Sequence, residues 1–478
     1  MDSSLLPFQK TDAPSYGRFF LVLLFVTQAA VLVPVFLEEY LIAVTVFGTL
    51  LGLLFILNTP GNGLVVLPLF LFFPFEIPGL GGVQFSEVGV FLVLLSFVFA
   101  TLLSRTTLSL RFPAMYAILA MLVASVFSVM NADYPVASVK QILKFIEAFI
   151  LVFVFTVNFT TDRKTIQKIL SVILVAATLS AVVGVVRFLQ GYEKRVYALV
   201  GGNFGAYCGI GVVIALNMLV FARGLLRRTI TFAAFVFLTG ALILSQTRAW
   251  IAGTILAILF LLFRLRRRKA AFLLALFVVV LAATVIWSGS QEILDSVQRE
   301  RIAGAAERAF ETGLESDRVS ARLLSLFMRL SAWINGFAWW ISNPVFGGGI
   351  GNLRFKNYFT GELGDPSDPD VGYVDNHWLN VLYETGIVGL VAWIWFAVIL
   401  YKAARTLLRE ATEPEWQMVA LSLSGALIIL LVGSMFWTLG VVHEMTVFVA
   451  FLSGLIFASL RLLRQKATKP GDSFSPQQ

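Results

Sequence analysis

The chain has 478 residues, of which 58% are hydrophobic and only 13% charged, and its mean hydropathy is +0.87. This composition excludes a soluble globular protein and is typical of a helical protein that crosses the membrane many times. The formal charge of +8 does not indicate nucleic-acid binding, because the basic residues lie in short clusters between apolar runs. The single cysteine, Cys208, excludes an internal disulfide framework and a cysteine metal site.

The first 18 residues lack the basic start and the cleavage site of a signal peptide, so we expect them to remain as a cytoplasmic N-terminal tail. Fourteen apolar runs follow, most of them near the ~20 residues that cross a bilayer as a helix. The third run is interrupted by Pro74 and Pro78, and only two residues separate the first run from the second. We therefore predict 12 to 14 spans. The runs are 19–37, 40–57, 63–81, 88–103, 112–130, 141–159, 168–188, 204–222, 229–246, 248–264, 270–288, 380–401, 417–438 and 441–460.

These runs predict an all-α fold, a polytopic transmembrane helical bundle with one large loop. Residues 19–288 hold transmembrane helices 1–11, and residues 380–460 hold helices 12–14. The segment 289–379 between them is too long for a simple linker and contains amphipathic helical stretches. Residues 461–478 form a polar tail.

The distribution of Lys and Arg predicts the orientation of the chain. If the N-terminus is inside, the inner segments hold 22 of the 36 basic residues and the short outer loops and span ends hold 6. The other 8 lie in the long segment 289–379. Because cytoplasmic loops of membrane proteins are enriched in Lys and Arg, we expect both termini in the cytoplasm and residues 289–379 outside.

Four of the arginines on the predicted outer side are candidate ligands for a phosphate. Arg187 ends the seventh run, Arg195 follows it, Arg248 lies in the short turn SQTRAW, and Arg329 lies in the large loop. A guanidinium at the membrane boundary is costly unless it is paired or hydrated, and its planar fork binds two phosphate oxygens at once. The arginines indicate either a phosphate or pyrophosphate site or ordinary contacts with lipid headgroups. The very short turn at Arg248 favours the first interpretation.

The stretch VDNHWLNVLYETGIVGL, residues 374–390, passes from a polar loop into an apolar helix. On a helix that begins near Asn376, His377 and Glu384 share one face, and Asp375 precedes them. An imidazole and a carboxylate at the mouth of a membrane helix have the chemistry for proton transfer. The structural alternative makes Asp375 an N-cap and Glu384 a paired residue at a span end. The sequence leaves both open.

Other candidate groups have simpler expected roles. Lys144 and Glu147, three residues apart in an apolar run, predict a structural pair. His443 lies near a helix start and is either a second titrating group or a core or cap residue. The glycines at 347–349 and Gly351 predict a tight turn that lets backbone approach backbone or substrate, because no Walker lysine accompanies them.

Four stretches in order resemble the O-antigen ligase and O-antigen polymerase superfamily of bacterial membrane glycosyltransferases. They are RVYALVGGNFGAY, SQTRAWIAG, RLSAWINGFAWWISNPVFGGGIGNLRF and DNHWLNVLYETGIVGL. One position differs. When the last stretch is aligned on its Leu, Glu and Gly positions, the histidine of the superfamily falls on Asp375, and His377 lies two residues further along. This difference makes a polymerase, or another polysaccharide-transfer relative, at least as compatible as a ligase.

The resemblance implies a metal-independent transferase that needs no cofactor and acts in polysaccharide biosynthesis at the bacterial cytoplasmic (inner) membrane, surrounded by membrane lipids. The donor would be a glycan on a polyprenyl pyrophosphate carrier, and the acceptor a glycan or a lipid-linked sugar. An acceptor hydroxyl would attack the anomeric carbon with inversion. His377 or Asp375 would take its proton, with Glu384 available to orient His377. The pyrophosphate would be bound by Arg248, Arg195, Arg329 and Arg187.

The alternative from another class is a lipid-linked oligosaccharide flippase or other polytopic transporter. Transporters tend to place ionisable residues at mid-membrane and to contain repeated halves. Here the candidate residues lie at the predicted outer face, and the sequence has no internal repeat, which favours the transferase.

Overall fold

The computed structural model describes residues 60–75, 84–104, 108–191, 196, 203–265, 332–356, 375–436 and 443–467. The predicted spans 19–37, 40–57 and 270–288 lie outside these residues. The helices within the described ranges are α1 (Pro60–Leu71), α2 (Phe85–Ser104), α3 (Pro113–Ser128), α4 (Pro135–Phe159), α5 (Arg163–Leu189), α6 (Phe204–Phe221), α7 (Leu225–Leu244), α8 (Arg248–Arg264), α9 (332–342), α10 (His377–Glu410), α11 (Pro414–Ser434) and α12 (His443–Ala467).

Within the described ranges, eight helices are long and apolar enough to cross a membrane. They confirm the predicted all-α, polytopic helical bundle. The helix bounds differ from the apolar runs at several ends. Helix α1 ends at Leu71, well short of the predicted end at 81, and α10 begins at His377 rather than at 380. Helix α12 continues to Ala467, past the predicted end of the last span at 460. Hydropathy detects the stretch that suits a bilayer, whereas a helix starts and stops at its caps and prolines.

Helix α6 is the central helix of the bundle. Every residue from Phe204 to Met218 is buried, as expected for a helix that is apolar all round. Helix α8 packs against it through Trp250, which is fully buried. A Cβ atom added at Gly205 of α6 or at Gly433 of α11 would collide with the Trp250 side chain. Small residues at these contacts therefore let α6, α8 and α11 approach closely around one indole.

An ion-pair network joins α5, α11 and α12 at one end of the bundle. Arg163 lies 2.9 Å from Glu413, and Lys466 also bonds to that carboxylate. The hydrogen bond from Lys466, together with the nearby Arg163, holds the pKa of Glu413 below its usual value. Exposed pairs of this kind are worth at most about 1 kcal/mol each. These ion pairs lie at the end of the bundle opposite to the end at which α8 begins with Arg248 and α10 begins with His377.

Candidate active site

Helix α10 is broken at Gly386, whose backbone has φ 66° and ψ −166°. In a straight helix the 16 residues from His377 to Trp393 would span about 24 Å. Instead, the centroids of the two rings lie 4.7 Å apart. The first two turns of α10, residues 377–385, therefore fold back against the remainder of the helix.

A loop at residues 343–353, called here the inserted loop, fills the break in α10. Backbone groups on both sides of Gly386 bond to the loop instead of to their own helix. The hydrogen bonds run from Ile387 N to Pro344 O (3.0 Å), from Val388 N to Val345 O (3.3 Å), from Gly348 N to Tyr383 O (2.9 Å) and from Gly349 N to Glu384 O (3.1 Å). Non-helical backbone at membrane depth requires such partners, because the lipid offers none.

The other side of the inserted loop is held by the end of α3 and the start of α4. Asn131 donates to the carbonyl of Gly347 at 2.9 Å, and Ser138 donates to the carbonyl of Ile350 at 2.7 Å. The side chain of Asn352 accepts from the Tyr134 amide at 2.7 Å and donates to the Ser138 hydroxyl at 2.6 Å. The predicted tight glycine turn with close backbone approach is confirmed.

Glu384 is buried and bonds to the inserted loop. Its carboxylate accepts from the backbone amide of Leu353 at 3.4 Å, and the Gly351 amide and the Asn380 side chain also bond to it. Its observed partners therefore do not include His377, which we expected it to orient. Because the chain folds back at Gly386, the helical face that carries Glu384 packs against the inserted loop.

The start of α10 is capped by Asn376 rather than by Asp375. The Asn376 side chain accepts hydrogen bonds from the backbone amides of Trp378 (3.0 Å) and Leu379 (3.1 Å). The interpretation of Asp375 as the N-cap is therefore wrong. Asp375 is half-buried and lies just outside the helix, while His377 is its first residue and is 2% exposed.

His377 has two ring nitrogens available for a ligand. Neither nitrogen has a hydrogen-bond partner among the residues that the structure describes. The ring packs edge to face against Trp393, with an angle of 88° between the ring planes. It lines a cleft whose other walls are mostly apolar side chains of α10, α11 and α12. A buried polar group without a partner costs about 1–3 kcal/mol, and such groups are often functional.

Arg248 begins α8 after a strained turn and is exposed. Gln246 in this turn has φ 53°, which is uncommon for a residue other than glycine. The hydroxyls of Ser245 and Thr247 lie 2.7 Å apart and tie the turn together. Arg187 lies in the last turn of α5 and is half-buried. The other two predicted phosphate ligands, Arg195 and Arg329, lie outside the described residues.

The end of α11 connects the Arg248 turn to the start of α10. Trp250, two residues after Arg248, packs against Gly433. The next residue, Ser434, accepts a hydrogen bond at 3.1 Å from the indole nitrogen of Trp378, which follows His377. The sequence did not predict this connection, because Gly433 and Ser434 belong to no motif and lie in an apolar run.

Lys144 and Glu147, which were predicted to pair, interact electrostatically, but each makes its ion pair with another residue. Lys144 lies 3.8 Å from Glu87, and Glu147 lies 3.6 Å from His443. The prediction assumed regular α-helical spacing, whereas α4 becomes a π-helix at Ile146–Val152 and its register changes there. Among the residues that the structure describes, no group of three or more His, Cys, Asp or Glu side chains is arranged to hold a metal ion.

The helices define a multi-pass membrane protein in which a broken helix, α10, carries His377 and Glu384 and receives a loop. Residues 233–394 match the family described as O-Antigen ligase. This match supports the resemblance to the O-antigen ligase and polymerase superfamily over that part of the chain. The matched range contains three of the four stretches noted in the sequence, and RVYALVGGNFGAY precedes it. No curated protein matches the chain.

Proposed function

We propose that the protein transfers or polymerises a glycan from a polyprenyl pyrophosphate carrier onto an acceptor sugar hydroxyl at the outer face of the cytoplasmic membrane. The observation that carries this proposal is the buried imidazole of His377, whose two ring nitrogens have no partner among the described residues. It lies at the same end of the bundle as Arg248, to which the end of α11 connects it.

The reaction follows from these two groups. The acceptor oxygen forms a bond to the anomeric carbon while the bond from that carbon to the pyrophosphate oxygen breaks, which inverts the anomeric centre. The hydroxyl proton passes to His377, and the leaving pyrophosphate keeps the electron pair of the broken bond. The guanidinium of Arg248, with Arg195, compensates the charge that develops on the leaving group.

The inserted loop has a supporting role in this proposal. It is bonded to both sides of the break at Gly386 and, through Glu384, to the helical face that carries His377. A base is effective only when it is held within hydrogen-bond reach of the proton. The loop and the parts of α10 on either side of Gly386 form one hydrogen-bonded unit, which supports the helix turn that carries the imidazole.

The experiment that tests the proposal is deletion of the gene followed by analysis of the cell-surface glycan. A ligase predicts full-length glycan that accumulates on its lipid carrier, whereas a polymerase predicts glycan shortened to single repeat units. A flippase predicts lipid-linked units that accumulate on the cytoplasmic side. Unchanged surface glycan with no accumulated carrier would contradict the proposal.

Arg248→Ala is expected to lower the transfer rate by roughly 10²–10³, the usual effect of removing one donor to developing charge. Arg248→Lys should also lose much of the rate, because an ammonium retains the charge but not the bidentate fork. Transfer would be assayed in membranes with protein amounts matched by immunoblot. Arg264→Lys, at the exposed opposite end of the same helix, is the control and should remain active. If both Arg248 variants remain fully active, Arg248 is only a contact to lipid headgroups.

The orientation is tested by reporter fusions. Fusions after Ser288 and after Lys402 should give opposite signals from a reporter that is active on one side of the membrane only, because the basic residues favour a cytoplasmic location for the second position. Equal signals would contradict the predicted orientation and, with it, a reaction at the outer face.

A further inference from the structure

A second polar cluster lies away from His377 and Arg248, where α2, α4 and α12 meet. Its charged and polar side chains come from the start of α2, the middle of α4 and the start of α12. They are Ser86, Glu87, Lys144, Glu147, His443 and Glu444. The transfer reaction proposed above uses none of them.

The ion pairs in this polar cluster are loose. His443 Nε2 lies 3.6 Å from Glu147 Oε2, and Lys144 Nζ lies 3.8 Å from Glu87 Oε1. Both distances exceed the range of a direct hydrogen bond, so neither pair is directly hydrogen-bonded. The side chain of His443 is 4% exposed, and its Nδ1 has no hydrogen-bond partner among the described residues. This buried nitrogen is therefore available to accept a hydrogen bond from a ligand.

One side of the polar cluster is closed by a buried hydrogen bond, and the other side is exposed. Ser86 donates a hydrogen bond of 2.8 Å to Glu444, and both side chains are buried. Glu147 is 26% exposed and Lys144 is 41% exposed, so the polar cluster reaches the surface of the bundle on this side. Glu147 also lies in the π-helical part of α4, a distortion that occurs frequently at functional sites.

The charges of the polar cluster select the class of ligand. Three carboxylates, on Glu87, Glu147 and Glu444, accompany one ammonium, on Lys144, so a pyrophosphate would be repelled. A neutral, hydroxyl-rich molecule fits: hydroxyl groups donate to the carboxylates and to Nδ1 of His443, and hydroxyl oxygens accept from the ammonium. Glu147 opposite Nε2 favours the tautomer that carries its proton there, which leaves Nδ1 as an acceptor.

Two aromatic contacts connect the polar cluster to the candidate base. Phe149, two residues after Glu147, packs against Trp393 with ring centroids 5.3 Å apart. Trp393 in turn packs against His377 at 4.7 Å. The segment of α4 that carries Glu147 therefore also packs against the indole that contacts His377.

We propose that the polar cluster is a subsite for the hydroxyl groups of the acceptor glycan, distinct from the pyrophosphate site. Glu147, His443 and Lys144 bond to the sugar, and Ser86 holds Glu444 in place beside them. This assignment rests on the proposed transferase function for the identity of the glycan as acceptor, but the binding of sugar hydroxyls is testable without any transfer.

The chain contains only two histidines, which permits a direct binding test. Full-length protein with ¹⁵N-labelled histidine, purified in detergent, should give two imidazole spin systems, and His377→Gln identifies that of His443. The probes are the methyl glycosides of glucose, galactose, mannose and N-acetylglucosamine, with inorganic pyrophosphate as the anionic probe. At least one glycoside should shift the His443 Nδ1 signal saturably, and Glu147→Gln should weaken that binding about tenfold, as expected for the loss of one charge-assisted hydrogen bond.

Glu410→Gln is the matched control, because Glu410 pairs with Arg464 near the end of α10 that lies furthest from His377. It should leave the titration unchanged. The proposal is overturned if no glycoside shifts the His443 signal, or if pyrophosphate shifts it as strongly as the sugars do.

Transfer kinetics provide a second test. His443→Gln and Ser86→Ala should raise the KM for acceptor about tenfold while kcat changes little, because they remove binding of the acceptor and not the base. A fall in kcat at unchanged KM, in protein that elutes normally from a sizing column, would contradict the subsite. If the wild-type protein transfers no glycan at all, the proposed function fails, whereas the NMR titration still decides whether the polar cluster binds sugars.

Discussion

Gly386→Ala is expected to destabilise the protein strongly, by more than about 3 kcal/mol. A φ of 66° with a ψ of −166° is open almost only to glycine, and for another residue the strain is of order 1–3 kcal/mol. In addition, the new Cβ atom would collide with the backbone carbonyl of Val345 and the amide of Phe346. Backbone cannot move aside without loss of the hydrogen bonds that seat the inserted loop. The measurements are the yield of folded protein and thermal unfolding in detergent.

Two other glycines separate the causes of this effect. Gly224 has φ 93°, but an added Cβ atom would meet no other atom within 4 Å, so Gly224→Ala should show the backbone strain alone. Gly348 lies in the inserted loop at negative φ, and the nearest neighbour of an added Cβ atom is 3.9 Å away, so Gly348→Ala should be close to wild type. If Gly386→Ala is as stable as Gly224→Ala, the loop does not occupy the break in α10.

His377→Ala is expected to lower glycan transfer by roughly 10²–10⁴, the usual contribution of a general base, without a change in the amount of protein in the membrane. Both nitrogens of His377 lack partners among the described residues, so one of them is available to accept the proton. Asp375→Asn should cost less. The assay is transfer of labelled glycan from its carrier in isolated membranes.

His377→Gln is the informative companion variant, because glutamine has similar size and forms hydrogen bonds but cannot take the proton. It should be nearly as inactive as His377→Ala. If Asp375→Asn abolishes transfer and His377→Ala does not, the aspartate is the base, at the position where the superfamily has its histidine. If both variants transfer normally, the start of α10 is only a well-capped helix.

The arrangement at the start of α10 supports the proposal that His377, two residues after the position of the superfamily histidine, is the base. Asn376 caps the helix, so His377 is its first residue and Asp375 lies directly outside. Both side chains start within one turn of the same helix end. The fold-back at Gly386 brings His377, which is buried, against Trp393, whereas Asp375 stays half-buried at the rim.

Much of the fold was predictable because the bilayer imposes a strong and local constraint. A spanning segment must be apolar over about 20 residues and must satisfy its backbone within the helix. The starts of α6 at Phe204 and α8 at Arg248 were therefore predicted to the residue, and α5 and α7 were predicted to within five residues at their starts. The residue types at helix mouths, His377 and Arg248, likewise identified the candidate site before any contact was known.

Only the tertiary structure decided which groups meet. The break at Gly386, the inserted loop that fills it, and the partners of Glu384 and Glu147 all depend on segments distant in the chain. Helical periodicity predicts which residues share a face, but the free energy of a buried polar group depends on the partner opposite it. The packing of the whole bundle determines which group becomes that partner. The amino-acid sequence by itself therefore determined the spans and the residue types at the candidate site, whereas the tertiary structure determined which of these residues contact each other.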